Sequence, residues 1–130
     1  MTIHSELQKT IEDMVDSHRG ILAADESAPT IAKRFDAIGV KSTEESRRYY
    51  RALLLDTPDL GSYISGVILF EETLGQRDDA GVQLPDLAWS QHIVPGVKVD
   101  KGKGPLEGAP GDLITYGLDG LAVRLAGYKK

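Results

Sequence analysis

Apolar residues follow two patterns along the 130-residue chain, a helical spacing and short continuous runs. Within residues 3–14 they recur every three or four positions with charged residues between them, which predicts an amphipathic helix packed on a larger body. The same spacing predicts two further helices, one marked by Ile31, Phe35 and Ile38 and ended by Gly39, the other marked by Leu118, Leu121, Leu125 and Tyr128.

The sequence STEE, at residues 42–45, predicts the start of another helix. The Ser42 hydroxyl would accept a hydrogen bond from the backbone of Glu45, and Glu45 would reach back to the backbone of Ser42, as in a capping box. The predicted helix continues through SRRYYRALLLD and ends before Pro58 and Gly61.

Three short apolar runs predict strands: GILAA at 20–24, GVILF at 66–70 and GVKVD at 96–100. The first two are continuously apolar, which is typical of parallel strands buried on both faces beneath helices. The strands begin about 46 and 30 residues apart, and a (β/α)8 barrel averages about 30 residues per unit. The pattern therefore predicts an α/β chain with a parallel sheet, and it predicts a polar turn over 75–86 and a loop over 101–111.

All three predicted strands carry ionisable residues at their C-terminal ends: Asp25 and Glu26 after the first, Glu71 and Glu72 after the second, and Lys98, Asp100 and Lys101 at the third. In parallel α/β proteins this face of the sheet holds the active site. Acidic groups beside a lysine could perform proton transfer or iminium chemistry.

Ordinary structural roles compete with that interpretation. Charged residues at strand ends are commonly solvated, which is the favoured reading of Glu71, Glu72 and Lys101. Asp25 could equally cap the helix that follows it. Lys98 differs, because a lysine inside a buried strand is costly unless it meets a carboxylate or a ligand anion.

The segment TIAKR, at residues 30–34, brings a hydroxyl and two cations close together. Thr30, Lys33 and Arg34 could bind a phosphate, and the guanidinium could bind two of its oxygens at once. An exposed helix face with two cations explains the same residues. The sequence GKG at 102–104 lacks the full P-loop pattern, and the three histidines are not spaced like metal ligands.

Composition excludes several classes of function. The formal charge of -5 argues against a general nucleic-acid-binding protein. The absence of cysteine excludes disulfides and thiolate metal sites. We expect no signal peptide, because the N-terminal segment has no apolar core, and no membrane-spanning segment, because no apolar run approaches about 20 residues. These features predict a cytoplasmic protein without a membrane or nucleic-acid partner.

Four motifs in this order resemble the class I fructose-1,6-bisphosphate aldolase family: GILAADES…TIAKR…IG…STEESRRYYR, GVILFEETL, PGVKVDKG and GLDGL. The resemblance runs from about Gly20 to Lys130. It implies a TIM (β/α)8 barrel that cleaves fructose 1,6-bisphosphate into dihydroxyacetone phosphate and glyceraldehyde 3-phosphate. It also implies catalysis through a lysine Schiff base, with no metal and no cofactor.

The resemblance implies roles for individual residues. Asp25 matches an aspartate beside the Schiff-base lysine, and Lys98 matches a lysine of the active-site charge network, expected near Asp25. Arg47 matches an arginine associated with substrate binding. The phosphate-binding residues implied are Thr30, Lys33 and Arg34. Pro29 departs from the family pattern because it removes a backbone donor from the phosphate loop.

The resemblance also implies that residues 1–130 are the N-terminal part of one barrel domain, with about the first three βα units. The Schiff-base lysine would lie further on, outside this chain, so we expect the chain alone to be inactive and its parent to be a homo-oligomer that binds a sugar bisphosphate. Preference between fructose 1,6-bisphosphate and fructose 1-phosphate stays open. Two alternatives are a non-catalytic fragment that associates with itself or with a complementary piece, and a free-standing phosphate-binding domain.

Overall fold

The computed structural model describes residues 2–15 and 18–129. The chain divides into two compact units, one ending at Val97 and one beginning at Lys98. In the first unit, the described residues form four helices and three strands: α1 (Ile3–Met14), β1 (Gly20–Ala24), α2 (Ala28–Asp36), α3 (Glu44–Leu55), β2 (Ile64–Leu69), α4 (Leu84–Ser90) and β3 (Val94–Val97). Short 3-10 helices cover Leu60–Ser62 and Glu71–Gly75.

The three strands of the first unit form one parallel sheet in the order β1-β2-β3. Helices lie between successive strands along the chain, so the predicted βα pattern is confirmed. The second strand begins at Ile64 rather than at the predicted Gly66, because Ile64 already pairs with Gly20 of β1. Within the described residues the sheet is open, since β1 and β3 each pair with β2 alone.

One face of the sheet carries the core. Val67 and Leu69 of β2 are almost fully buried and pack in one cluster with Leu55 of α3 and Leu84 of α4. The opposite face is buried only in part: Gly66 of β2 is buried, but Ile68 remains 36% exposed. The prediction that the first two strands are buried on both faces is therefore wrong, because α3 and α4 cover only one of them.

Helix α1 forms as predicted, but its apolar side is not packed. None of its residues is buried, and Ile3 is 74% exposed. The C-terminal end of α1 contacts the sheet, because the hydroxyl of Ser65 in β2 donates to the Met14 carbonyl at 2.7 Å. Its polar residues, including Lys9, line a groove of about 340 Å³ instead. The predicted packing of its apolar side on a larger body is wrong for Ile3, Leu7 and Ile11, which are 74%, 59% and 55% exposed, whereas Met14 is partly buried.

The start of α3 differs by one residue from the prediction. Thr43, not Ser42, is the N-cap, and its hydroxyl accepts a hydrogen bond from the Ser46 backbone at 3.1 Å. Ser46 completes the capping box, because its hydroxyl accepts from the Thr43 backbone at 2.8 Å. The same hydroxyl donates to the Lys41 carbonyl. This additional bond favours Ser46 over the predicted Glu45.

We expect Thr43→Ala to lower the free energy of unfolding by about 1 kcal/mol, because a backbone donor in the first turn loses its acceptor. Ser42→Ala should change it by less than about 0.5 kcal/mol. Urea denaturation followed by circular dichroism measures both. A larger effect at Ser42 than at Thr43 would contradict the cap seen here.

One helix and both strands of a hairpin escaped the sequence-based prediction. Helix α4 lies at the end of the segment predicted as a polar turn, and Pro85 occupies its first turn. The segment 101–111, predicted as a loop, contributes β4 (Lys103–Pro105) to a hairpin with β5 (Leu113–Thr115) in the second unit. That unit ends with α5 (Leu121–Tyr128), which begins after Leu118.

The third strand ends earlier than predicted. It stops at Val97, which pairs with Leu69, the last residue of β2. Residues 71–75, which follow β2, form a 3-10 helix. Lys98 therefore follows the strand instead of lying inside it, and the predicted lysine within a buried strand is wrong.

Candidate active-site face

The turn after β1 carries the acidic residues that the sequence singled out. Asp25 and Glu26 separate Ala24 from Ser27, which is the N-cap residue of α2. The interpretation of Asp25 as the cap of this helix is therefore wrong. Pro29 lies in the first turn of α2, where its missing N–H breaks no helical hydrogen bond.

Glu26 is the centre of a charged group that we call the Glu26 cluster, formed with Arg34, Tyr50 and Arg51. Its carboxylate forms an ion pair with Arg34 of α2, and Arg51 Nη1 of α3 lies 2.9 Å from its Oε2. That second contact is ionic, because neither atom has a well-aligned hydrogen bond. The Tyr50 hydroxyl donates weakly to Glu26 Oε1 at 3.4 Å.

The cluster is buried on its inner side and open on its outer side. The side chains of Arg51 and Glu26 are only 4% and 11% exposed, whereas that of Arg34 is 55% exposed. Tyr50 packs edge-on against Phe35 with ring centroids 5.8 Å apart, and the Arg51 guanidinium lies 5.2 Å from the Tyr50 ring centroid. These contacts fix α2 against α3.

Arg34 retains hydrogen-bonding capacity. Its Nη1 donates to Glu26 and Tyr50, whereas its Nε and Nη2 have no hydrogen bond to any residue that the structure describes. The negative charge of Glu26 raises the pKa of Arg34, so the guanidinium stays charged. Lys33 and Thr30 are also exposed on α2, and the Thr30 hydroxyl lies 3.2 Å from that of Ser27. These groups could receive an anion.

Arg47 is engaged elsewhere. Its Nε and Nη2 donate to the two carboxylate oxygens of Glu72 at 2.8 and 2.6 Å, and its Nη1 donates to the Ser42 hydroxyl at 3.4 Å. The hydrogen bonds from Arg47 lower the pKa of Glu72. Glu72 is therefore an ion-pair partner joining the end of β2 to α3, and its interpretation as a solvated strand end is wrong.

This ion pair makes stability depend on pH. Because the pKa of Glu72 is lower in the folded chain, its contribution is complete above the ordinary glutamate pKa and is lost as pH falls through the folded value. We expect Arg47→Met to lower the free energy of unfolding by about 1 kcal/mol at pH 7, and by progressively less towards about pH 3. Urea denaturation of the wild type and the variant between about pH 3 and pH 7 measures this loss. A loss that does not change with pH would contradict the ion pair between Arg47 and Glu72.

Lys98 lies in the second unit, where it forms an ion pair with Asp100. Its side chain is about one-third exposed (32%). The hydrogen bond from Lys98, with a further one from the Gly102 backbone, lowers the pKa of Asp100. The expected proximity of Lys98 to Asp25 stays a prediction.

Sequence reasoning did not single out Arg51 or Tyr50. A signal for Arg51 exists, because it lies four residues before Leu55 and both are buried on the inner side of α3.

Among the described residues, no three histidine or acidic side chains are grouped as metal ligands. None of the helices in that part of the chain is long and apolar enough to cross a membrane.

Comparison with known proteins identifies the fold and the family. The family model for class-I fructose-bisphosphate aldolase matches residues 6–130. A solved structure of fructose-bisphosphate aldolase from Plasmodium falciparum, in complex with TRAP and a small-molecule inhibitor, superposes with a TM-score of 0.90 at 49% identity. The match covers 96% of this chain and 36% of that one, so the chain forms a partial N-terminal portion of a TIM barrel, without closing it.

The names of curated relatives indicate the same family as the family model. A protein of Xylella fastidiosa named probable fructose-bisphosphate aldolase class 1 is 55% identical over 125 residues, and a chloroplastic fructose-bisphosphate aldolase 1 of Chlamydomonas reinhardtii is 54% identical over the same length. These matches cover 96% of this chain but only 37% and 33% of the two relatives. This chain belongs to the class I fructose-bisphosphate aldolase family.

Proposed function

We propose that residues 1–130 are the N-terminal part of a single barrel domain that cleaves fructose 1,6-bisphosphate into dihydroxyacetone phosphate and glyceraldehyde 3-phosphate. The parent enzyme would be a cytoplasmic homo-oligomer. The observation that carries the proposal is the turn after β1, where Asp25 precedes a helix that presents Lys33 and the open guanidinium of Arg34. In parallel α/β folds, this edge of the sheet binds the substrate.

The proposed mechanism uses a lysine outside these residues. Its amine adds to the ketone of the substrate and water leaves, which gives a protonated imine. The C4 hydroxyl then loses its proton, the C3–C4 bond breaks, and its electron pair moves into the imine to form an enamine. Release of the aldehyde, protonation of the enamine at C3 and addition of water return the second product and the lysine.

In this mechanism two residues of the chain assist at the reacting carbons. Asp25 orients the Schiff-base lysine and moves protons during its formation and hydrolysis. Lys98 supplies a positive charge to the same network. Thr30, Lys33 and Arg34 bind one substrate phosphate, with the unused Nε and Nη2 of the guanidinium facing its oxygens. Arg47 stays a predicted substrate contact, although Glu72 already engages it.

Calorimetric titration of fructose 1,6-bisphosphate into the 130-residue chain tests the phosphate site. We expect Arg34→Ala to weaken binding by about tenfold or more, since a hydrogen bond to a charged group is lost. Arg48→Ala is a matched control, because Arg48 pairs with Glu45 and Asp79 instead. Equal affinity in the wild type and Arg34→Ala would contradict this site.

The chain alone should not complete the reaction. We expect no cleavage of fructose 1,6-bisphosphate and no stable adduct after treatment with dihydroxyacetone phosphate and borohydride. An adduct on Lys98 would identify it as the nucleophile and contradict the proposed role. Mass spectrometry of peptic fragments distinguishes the two results.

The open sheet favours a second candidate function, association with a complementary chain. Ile21 of the outer strand β1 is 54% exposed, and β1 is paired along one edge only. An unpaired strand edge with exposed apolar residues favours pairing with another chain. Sedimentation of the chain alone should detect dimers or larger species, and sedimentation of the chain mixed with the remaining barrel segment of a relative should detect a complex. A monomeric chain in both experiments would contradict this candidate.

A further inference from the structure

Glu26 is held by two arginines that come from different helices. Arg51 is only 3% exposed and contacts Glu26 twice: its Nη1 lies 2.9 Å from the carboxylate, and its Nη2 donates to the main-chain carbonyl of Glu26 at 2.9 Å. One guanidinium therefore fixes both the side chain and the backbone of this residue. Because Asp25 is its neighbour in sequence, the same contact restrains the turn that carries Asp25.

The charges of the Glu26 cluster do not cancel. One carboxylate faces two guanidinium groups, so the cluster carries one surplus positive charge. Arg51 is buried, so the more exposed Arg34 presents this charge to solvent. Glu26 and the Tyr50 hydroxyl engage only its Nη1, and its other two nitrogens have no hydrogen bond to the described part of the chain.

We propose that Arg51 and Glu26 are positioning residues: Arg51 fixes the Glu26 carboxylate, and Glu26 holds the Arg34 guanidinium with its open edge towards a substrate phosphate. This inference rests on the proposed phosphate-binding role of Arg34. Holding the side chain before the ligand arrives reduces the entropy lost on binding. Neither positioning residue needs to contact the substrate.

Glu26→Gln separates positioning from simple charge attraction. The substitution removes a negative charge beside Arg34, so net charge alone predicts tighter binding of phosphate. Positioning predicts weaker binding, by a factor of about two to ten. In the variant Glu26 no longer holds the Arg34 side chain, so this side chain must be ordered when phosphate binds. The two explanations therefore differ in the sign of the effect.

The experiment is a titration with inorganic phosphate, followed by the arginine Nε–H resonances in NMR. Wild type, Glu26→Gln, Arg51→Lys, Arg34→Ala and the double variant Glu26→Gln/Arg34→Ala are compared. We expect Glu26→Gln and Arg51→Lys to bind phosphate more weakly than the wild type. We expect no further loss of affinity when Glu26→Gln is added to Arg34→Ala. Arg48→Lys, on the same helix as Arg51, should bind like the wild type.

Nitrogen relaxation of Arg34 Nε in the absence of phosphate gives an independent readout. We expect an ordered guanidinium in the wild type and a mobile one in Glu26→Gln, while amide spectra show that the variant is folded. Tighter phosphate binding by folded Glu26→Gln, an additive loss in the double variant, or a mobile wild-type Arg34 would overturn the proposed positioning. If the wild type does not bind phosphate, the proposed phosphate site is wrong, and this inference is wrong with it. An ordered Arg34 in that experiment would show that Glu26 holds the guanidinium and that the phosphate-binding role of Arg34 is the incorrect part.

Discussion

Arg51→Met is expected to lower the free energy of unfolding by about 2–4 kcal/mol. The substitution keeps much of the side-chain volume but leaves the Glu26 carboxylate, 11% exposed, without its inner cation. It also removes the donor to the Glu26 carbonyl, which lies 2.9 Å from Arg51 Nη2. Glu26 would keep only Arg34, whose side chain is 55% exposed, as a cation, so its buried carboxylate would be only partly compensated. Natural domains have only about 5–15 kcal/mol of stability, so this loss is large.

Two comparisons separate this effect from the loss of an arginine in general. Arg48→Met removes a guanidinium from the same helix, but its partners Glu45 and Asp79 are 72% and 80% exposed, so the expected loss is about 1 kcal/mol or less. Adding Glu26→Gln to Arg51→Met should restore part of the stability, because it removes the buried negative charge that only the exposed Arg34 still compensates. Urea denaturation measures all of these variants, and equal losses for Arg48 and Arg51 would contradict the cluster.

Leu69→Ala is expected to lower the free energy of unfolding by about 3 kcal/mol, since it opens a cavity in the core. Leu69 is fully buried at the end of β2 and packs in the same cluster as Leu55 and Leu84. The neighbouring Ile68 is a matched control, because it lies on the opposite face and is 36% exposed. Ile68→Ala should cost about 1 kcal/mol or less in the isolated chain.

The ratio of these two effects tests which face of the sheet is packed. If both substitutions destabilised the isolated chain equally, the uncovered face would be buried in solution, by association or by rearrangement. Thermal and urea denaturation at two protein concentrations distinguish those cases, since association makes stability depend on concentration.

The sequence predicted β1 at its observed residues and β2 to within two residues, because their short apolar runs differ from the helical spacing elsewhere. The prediction for β3 shares only Gly96 and Val97 with the observed strand. It placed the cap of α3 one residue early, since STEES offers two overlapping cap signals and only the Ser46 contact with Lys41 selects between them. It missed α4, whose seven residues follow a segment rich in turn formers. Short elements of this kind depend on packing rather than on periodicity.

The candidate site was predicted in part. The position of charged residues after β1 and β2 follows from strand ends and could be predicted. Their partners could not, because Arg47 and Glu72 are 25 residues apart and meet only through the packing of α3 beside β2. The same holds for Glu26 and Arg51, whose pairing depends on which face of α3 is buried.

A chimaera tests whether this chain can supply the first part of an aldolase active site. Residues 1–130 replace the matching segment of the Xylella fastidiosa relative, which is 55% identical over 125 residues. We expect the chimaera to cleave fructose 1,6-bisphosphate, and we expect Asp25→Asn in it to lower kcat by about a hundredfold or more. A folded chimaera without activity, or one whose kcat is unchanged by Asp25→Asn, would contradict the proposal that this chain supplies the first part of an aldolase active site.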